Sequence, residues 1–149
     1  VLYQFGEERS SRKIARQIVT ERRLKKISTT TQLADIVRSC FPKAAQFLRT
    51  DPATKTFQAI RIYVNSEFDE LKKTLEVLVS RMPRGSRVAV ITFHSLEDRI
   101  AKHFFKDAAQ AQRGIVLTKK PQSASDEEIS SNVRSRSAKL RCFEIGVPS

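Results

Sequence analysis

Apolar residues recur every three or four positions through the first half of the chain. Ile14, Ala15, Ile18 and Val19 share one helical face, while Arg9, Arg12, Lys13 and Arg16 follow i, i+3, i+4, i+7 on another. A second helix is predicted with Leu33, Ile36, Val37, Cys40 and Phe41 on its apolar face. Thr30 or Thr31 caps it and Pro42 stops it. Asp51-Pro52 predicts the next start, an N-cap aspartate followed by proline at the first helical position. From there Phe57, Ile60, Val64, Phe68, Leu71, Leu75, Leu78 and Met82 keep the same spacing. One unbroken helix over that span exceeds the usual globular length. A break is therefore expected near Asn65 and Ser66, where Ser66-x-x-Asp69 offers a fresh cap.

Beyond Pro83-Arg84-Gly85 the pattern changes. Arg87–Thr92 is a short, β-branched apolar run that reads as a buried strand. Ile100, Ala101, Phe104, Phe105 and Ala108 then return to helical spacing over Leu96–Ala109. A strand is predicted at Ile115–Thr118, and a polar loop with one helical turn at Pro121–Ser131. The last strand is Lys139–Ile145, with Leu140, Cys142 and Glu144 alternating against Arg141, Phe143 and Ile145. The fold class is α/β, with a helical domain over 1–64 and a strand-bearing domain over 65–149. Three strands and two helices are too few for an independent doubly wound sheet. No internal repeat or low-complexity tract is apparent.

Charge adds a partner class to this picture. The chain carries 28 basic and 16 acidic residues, a formal net charge of +12, which points to a polyanion. Nucleic acid leads; an anionic membrane is the weaker reading, because no apolar run approaches the roughly eighteen residues of a spanning helix. The N-terminus has no apolar core of a secretory signal. Cys40 and Cys142 are far apart and read as reduced thiols of a cytosolic protein. His94 and His103 share no ligand spacing with each other or with the cysteines, so no metal site is expected.

The most informative run is Thr92-Phe93-His94-Ser95-Leu96-Glu97-Asp98-Arg99. It sits where a strand ends and a helix begins, the crevice in which open α/β sheets bind ligands. Ser95 and Asp98 form the S-x-x-D pattern of a helix N-cap, with Ser95 as the capping side chain. That assignment leaves His94, Glu97 and Arg99 unexplained.

This run closely resembles the signature of the RsmH (MraW) family, S-adenosylmethionine-dependent methyltransferases that modify the exocyclic N4 amine of a cytosine in small-subunit ribosomal RNA. The likeness extends in order along the chain. It takes in Phe5-Gly6-Glu7-Glu8-Arg9 with Lys13-Ile14-Ala15-Arg16, and Thr29-Thr30-Thr31-Gln32-Leu33-Ala34. It continues through the block from Pro52 to Ile62, through Val64-Asn65-Ser66-Glu67 (where Phe68 replaces the family's leucine), and through the run from Arg134 to Arg141. The resemblance implies that residues 1–64 belong to a helical insertion domain for substrate recognition. Residues 65–149 would then supply the C-terminal strands and helices of a class I (Rossmann-like) methyltransferase sheet, the final strand antiparallel.

By the same resemblance the methyl donor of the complete protein is S-adenosylmethionine. This chain alone is expected to hold no cofactor. Its four glycines, Gly6, Gly85, Gly114 and Gly146, make no G-x-G, and the cofactor needs a tight glycine turn and an acidic ribose partner. The chain reads as a C-terminal half, either a truncated piece or the product of a fragment gene. Small-subunit ribosomal RNA or the subunit itself is the implied partner, in the cytoplasm.

Candidate residues follow, each beside its plainer reading. Arg9, Arg12, Lys13 and Arg16, continued by Arg22, Arg23, Lys25 and Lys26, form a ridge for RNA phosphates or a solvated basic face. Arg134 and Arg136, with Lys139 and Arg141, contact RNA or guard a strand edge. Arg99 reaches phosphate or pairs with Glu97 or Asp98. His94 is the catalytic candidate, to orient the cytosine or take up the proton its amine loses; the other reading is a satisfied structural histidine. Asn65 offers amide hydrogen bonds to a base but reads first as a turn residue. His94 and Ser95 are not a hydrolase pair, having no third orienting group. Two rival readings of the whole chain remain. One is a non-catalytic basic RNA- or ribosome-binding module; the other is a structural fragment that self-associates through an exposed sheet edge.

Overall fold

In the computed structural model, which describes residues 1–44 and 50–146, the chain divides into two units, Val1–Glu67 and Phe68–Ser149. The first unit is helical: α1 (Leu2–Gly6), α2 (Ser11–Leu24), α3 (Thr30–Ser39) and α4 (Thr54–Asn65). Its core gathers Ile14, Ala34, Val37, Cys40 and Ala53. The expected apolar stripe of α2 is narrower than its spacing implied, since Ile14 is buried but Ala15 is exposed. Gly6 lets α1 approach α4 closely: a Cβ there would stand 2.5 Å from the Lys55 carbonyl oxygen.

Helix α3 starts one residue earlier than Thr30 or Thr31 would place it. Thr29 Oγ1 accepts from the Gln32 N–H at 3.2 Å, while Gln32 Oε1 accepts from the Thr29 N–H at 3.2 Å. Only Thr29 has a glutamine three positions on to complete this reciprocal capping box. Asp51-Pro52-Ala53 form a turn, not the first helical residues; Asp51 Oδ1 accepts from the Ala53 N–H at 2.8 Å, and α4 begins at Thr54. The expected break lies at Ser66, which closes α4 in the left-handed region at φ 52° before α5 (Glu67–Arg81).

The second unit continues from α5 with β1 (Arg87–Thr92), α6 (Ser95–Gln110), β2 (Gly114–Val116), β3 (Gln122–Ser123), α7 (Asp126–Ser131), a 3-10 turn (Val133–Ser137) and β4 (Lys139–Ile145). Strand β4 is central. It runs antiparallel to β1, β2 and β3, giving the order β1-β4-β2, with Thr92 opposite Lys139 and Val88 opposite Phe143. Strand β2 is shorter than the expected Ile115–Thr118. Thr118 has left the ladder, and its hydroxyl oxygen accepts from the Cys142 N–H at 2.9 Å.

Arg141, Phe143 and Ile145 are the buried face of β4. Phe143 and Ile145 meet Leu75 and Val79 of α5, Val88 of β1, and Phe105 and Ala108 of α6 in one apolar core. The rings of Phe105 and Phe143 stack at 5.1 Å. Gly114 is required beside them, because a Cβ would come within 2.6 Å of the Phe143 ring. On the opposite sheet face Ala89, Ile91 and Leu117 are exposed and Leu140 and Cys142 half-buried. Among the described residues no helix is long and apolar enough to cross a membrane, and no three metal-ligating side chains cluster.

Candidate functional site

The eight-residue run closes β1 and opens α6. Thr92 ends the strand fully buried. His94 follows in extended backbone, φ −144° and ψ 165°, so it and not Ser95 occupies the N-cap position. Its Nδ1 accepts from the Glu97 N–H at 3.3 Å. This corrects the assignment of the cap to Ser95, which is instead the first helical residue. The strand releases its last ladder position at Thr92, leaving only two residues to make the turn. An imidazole nitrogen then serves as the acceptor usually supplied by a hydroxyl or carboxylate.

That hydrogen bond fixes the chemistry of the ring. A ring nitrogen that accepts from a backbone N–H has its lone pair engaged. Nε2 is buried and lies 3.2 Å from Glu97 Oε1, a contact without hydrogen-bond alignment. The ring packs at 6.1 Å from that of Phe68. Nδ1 is thus not open to a substrate proton. The geometry suits a histidine that shapes the turn.

Glu97 returns the favour from the other side. Its Oε2 accepts from the Phe93 N–H at 3.0 Å, binding the residue before the cap to the first turn of α6. Burial works to raise the Glu97 carboxyl, but the adjacent His94 side chain and the hydrogen bond from the Phe93 N–H outweigh it and hold it below its ordinary value. Phe93 itself is held by its backbone, with 53% of its surface exposed at the strand end.

Asp98 has no part in capping. Arg141 Nε donates to its Oδ1 at 2.7 Å and Nη2 to its Oδ2 at 3.0 Å, a two-pronged pair in which both side chains are buried. These hydrogen bonds, working against burial, hold the Asp98 carboxyl below its ordinary value. Lys139 adds a more distant cation, Nζ at 3.9 Å from Asp98 Oδ2. Arg141 is thereby removed from the RNA-facing or edge-guarding cations. Its signal was present in the sequence: an arginine in phase with Phe143 and Ile145 must enter the core, and a buried guanidinium requires a carboxylate.

The remaining candidates fall into two groups, one in each unit. In the second, Arg99 is exposed on α6, and Arg134 and Arg136 are exposed on the 3-10 turn preceding β4. Because Thr92 pairs with Lys139, that turn enters the sheet at the end where β1 leaves it. The fold thus brings Arg134 and Arg136 to the end of the sheet that carries His94. In the first unit Arg12, Lys13 and Arg16 are exposed on α2, with Arg22 and Arg23 further along. Arg9 is exposed but precedes the helix, in a turn where Glu8 Oε1 accepts from the Ser10 N–H at 2.7 Å. Lys13 Nζ donates to the Cys40 carbonyl at 2.6 Å, closing the end of α3. Asn65 ends α4, and its Nδ2 donates to Glu67 Oε1 at 3.3 Å in a cluster with Arg61. That is the turn role first assigned to it.

The family model described as the MraW methylase family matches residues 1–146. Among curated proteins, ribosomal RNA small subunit methyltransferase H of Neorickettsia sennetsu is 51% identical over 144 residues, which is 97% of this chain and 48% of that protein. The protein of the same name from a Hydrogenobaculum species is 50% identical over 145 residues, 97% of this chain and 48% of its own length. That from Koribacter versatilis is 53% identical over 143 residues, 95% of this chain and 44% of its own. The chain spans about half the length of the curated relatives it matches.

Proposed function

The chain belongs to the MraW methylase family, and from that premise we propose that it forms part of an S-adenosylmethionine-dependent enzyme methylating the N4 amine of a cytosine in small-subunit ribosomal RNA. The observation that carries this reading is the turn from Thr92 to Glu97. It is held at three points, by the His94 cap, the Glu97–Phe93 hydrogen bond and the Asp98–Arg141 pair behind it. A turn so fixed at a strand end suits a reaction whose catalysis is largely positioning, the amine being held in line with the methyl group it receives. His94 contributes by orienting the turn and, through it, the cytosine. Residues 1–64 recognise the RNA and 65–149 complete the catalytic sheet. Arg9, Arg12, Lys13, Arg16, Arg99, Arg134 and Arg136 contact phosphates, and the enzyme works in the cytoplasm, where its substrate is.

The described residues do not fit the donor itself. Gly6 and Gly114 are occupied by close approach to the chain's own backbone and Gly146 by the Arg84 side chain, while Gly85, with open space beside it, leads into β1 and not out of it. The one strand-to-helix turn that follows β1 has no glycine, and its Phe93 and Glu97 N–H groups are already bonded to side chains. The donor site is therefore assigned to another part of the complete enzyme. The same observation favours a second reading for this chain acting alone, as a basic RNA- or ribosome-binding module. Strand β1 ends the sheet order, so self-association through that edge belongs to this second reading. A sedimentation coefficient independent of concentration would remove it.

The deciding experiment uses the complete enzyme and labelled S-adenosylmethionine with small subunits, followed by mass analysis of the released nucleosides. N4-methylcytidine is expected. A methyl group on any other nucleoside, or none, overturns the reading. His94→Asn, which keeps an N-cap acceptor, should retain much more turnover than His94→Ala. Equal and severe loss in both variants would return His94 to direct contact with substrate.

A further inference from the structure

Lys102 and Lys106 stand one turn apart on α6, and Lys119 follows Thr118 just beyond β2. The three surround a cavity of about 250 Å³ whose apolar wall is Phe105 and Val116. None of its lining residues belongs to the Thr92–Glu97 turn. The polar side chains that line the cavity are three lysines, Thr118 and Arg141. Thr118 is buried, and its oxygen already accepts from the Cys142 N–H, so its own O–H remains to give. Arg141 places Nε and Nη2 on Asp98.

The charge balance here differs from that at the paired arginines of the chain. Arg38 is matched by Asp35 and Asp51, Arg61 by Glu67, Arg87 by Glu144 and Arg113 by Glu76. Around this cavity Lys102, Lys106 and Lys119 converge beside the Asp98–Arg141 pair, and among the described residues no carboxylate lines it. The nearest acid, Asp98, has both oxygens engaged by Arg141. A ring of donors and positive charge over an apolar floor suits an anion joined to a flat ring, which is the chemistry of a nucleotide. The volume falls below the roughly 300–1,000 Å³ of pockets for drug-sized ligands, which limits the occupant to one such unit.

We propose that this cavity binds a single phosphorylated nucleotide unit, its phosphate on Lys102, Lys106, Lys119 and the Thr118 hydroxyl and its base against the partly exposed Val116. The unit comes from a single-stranded RNA or from a free mononucleotide. The site needs only this chain and stands whether or not the methyl-transfer reading holds.

The 149-residue chain should be titrated with a single-stranded RNA octamer, with adenosine monophosphate and with inorganic phosphate, following the backbone amide resonances of Val116, Thr118 and Lys119. These amides should shift with the octamer or the mononucleotide. Shifts with the octamer alone assign the site to an RNA strand; shifts with the mononucleotide alone assign it to the free ligand. Lys102→Gln, Lys106→Gln and Lys119→Gln together should weaken binding about tenfold. For the octamer they should lower the slope of log K against log salt by about 2, at roughly 0.7 per single-strand phosphate contact. Val116→Phe fills the cavity at unchanged charge and should abolish the shifts while leaving the melting temperature near that of the parent. A charge-matched control, Lys43→Gln with Lys55→Gln and Lys72→Gln, should leave the shifts in place. The proposal fails if that control weakens binding as much as the cavity variant. It also fails if inorganic phosphate shifts the amides as strongly as the nucleotide, or if no ligand shifts them.

Discussion

Asp98 and Arg141 lie 43 positions apart, yet their two hydrogen bonds tie the first turn of α6 to the middle of β4. Asp98→Asn would leave a buried guanidinium without its counter-charge, and the loss should be about 3–5 kcal/mol, as for other broken buried pairs. The pH dependence follows from the lowered Asp98 pKa. A carboxyl depressed in the folded state contributes stability that is complete above its unfolded value, about 3.9, and is lost as pH falls through the folded value. Denaturant melts of the parent should therefore weaken below about pH 4 more steeply than those of Asp98→Asn. Parallel curves for the two would remove Asp98 from the acid sensitivity. The pattern S-x-x-D marked the right turn but gave its two residues the wrong tasks. Which residue caps depends on where the strand lets go, and an alternating pattern does not mark that to one position. Arg141, read as an RNA-contacting or edge-guarding cation, was misplaced although its phase with Phe143 and Ile145 marks the buried face.

Among the elements, the limits of β1 and β4 were readable because each is a run of β-branched or alternating residues. The end of β2 was not. Thr118 exchanges a place in the ladder for a side-chain hydrogen bond to Cys142, a substitution of one bond for another that hydrophobic periodicity does not register. The break between α4 and α5 was readable from helix length alone, although length does not say how the chain turns. It turns through Ser66 in the left-handed region, a conformation that costs a residue with a Cβ about 1–2 kcal/mol. Ser66→Gly should recover part of that, about 1 kcal/mol after the larger chain entropy of glycine is subtracted. A higher denaturation midpoint with an unchanged m-value is the expected result. A lower midpoint would mean that the serine side chain contributes more than its backbone strain costs.

For the molecule as a whole, the net charge of +12 suggested a polyanionic partner without saying which cations meet it. The exposed residues on α2 and its approach are one group, although Arg9 lies off the helix and Lys13 is partly committed to the Cys40 carbonyl. Replacing Arg9, Arg12, Lys13 and Arg16 with glutamine should lower the salt slope of duplex RNA binding by about 3–4, at roughly 0.9 per phosphate contact. An unchanged slope would return the ridge to ordinary solvation.

The two cysteines fall one in each unit. Cys40 is buried in the core of the first, 5% exposed, while Cys142 is half-buried on the less covered face of the sheet; neither is in a disulfide. A thiol reagent therefore meets two clocks. Cys142 should be alkylated early, at a rate set by its partial exposure. Cys40 should react only when the helical unit opens, and the open fraction then sets its rate when closing is fast. Mass spectrometry of peptides from chain labelled in increasing urea would follow the opening of the helical unit through Cys40 while the rest of the chain is intact. If both thiols reacted together under native conditions, Cys40 would not be enclosed as its packing against Ile14 and Val37 requires.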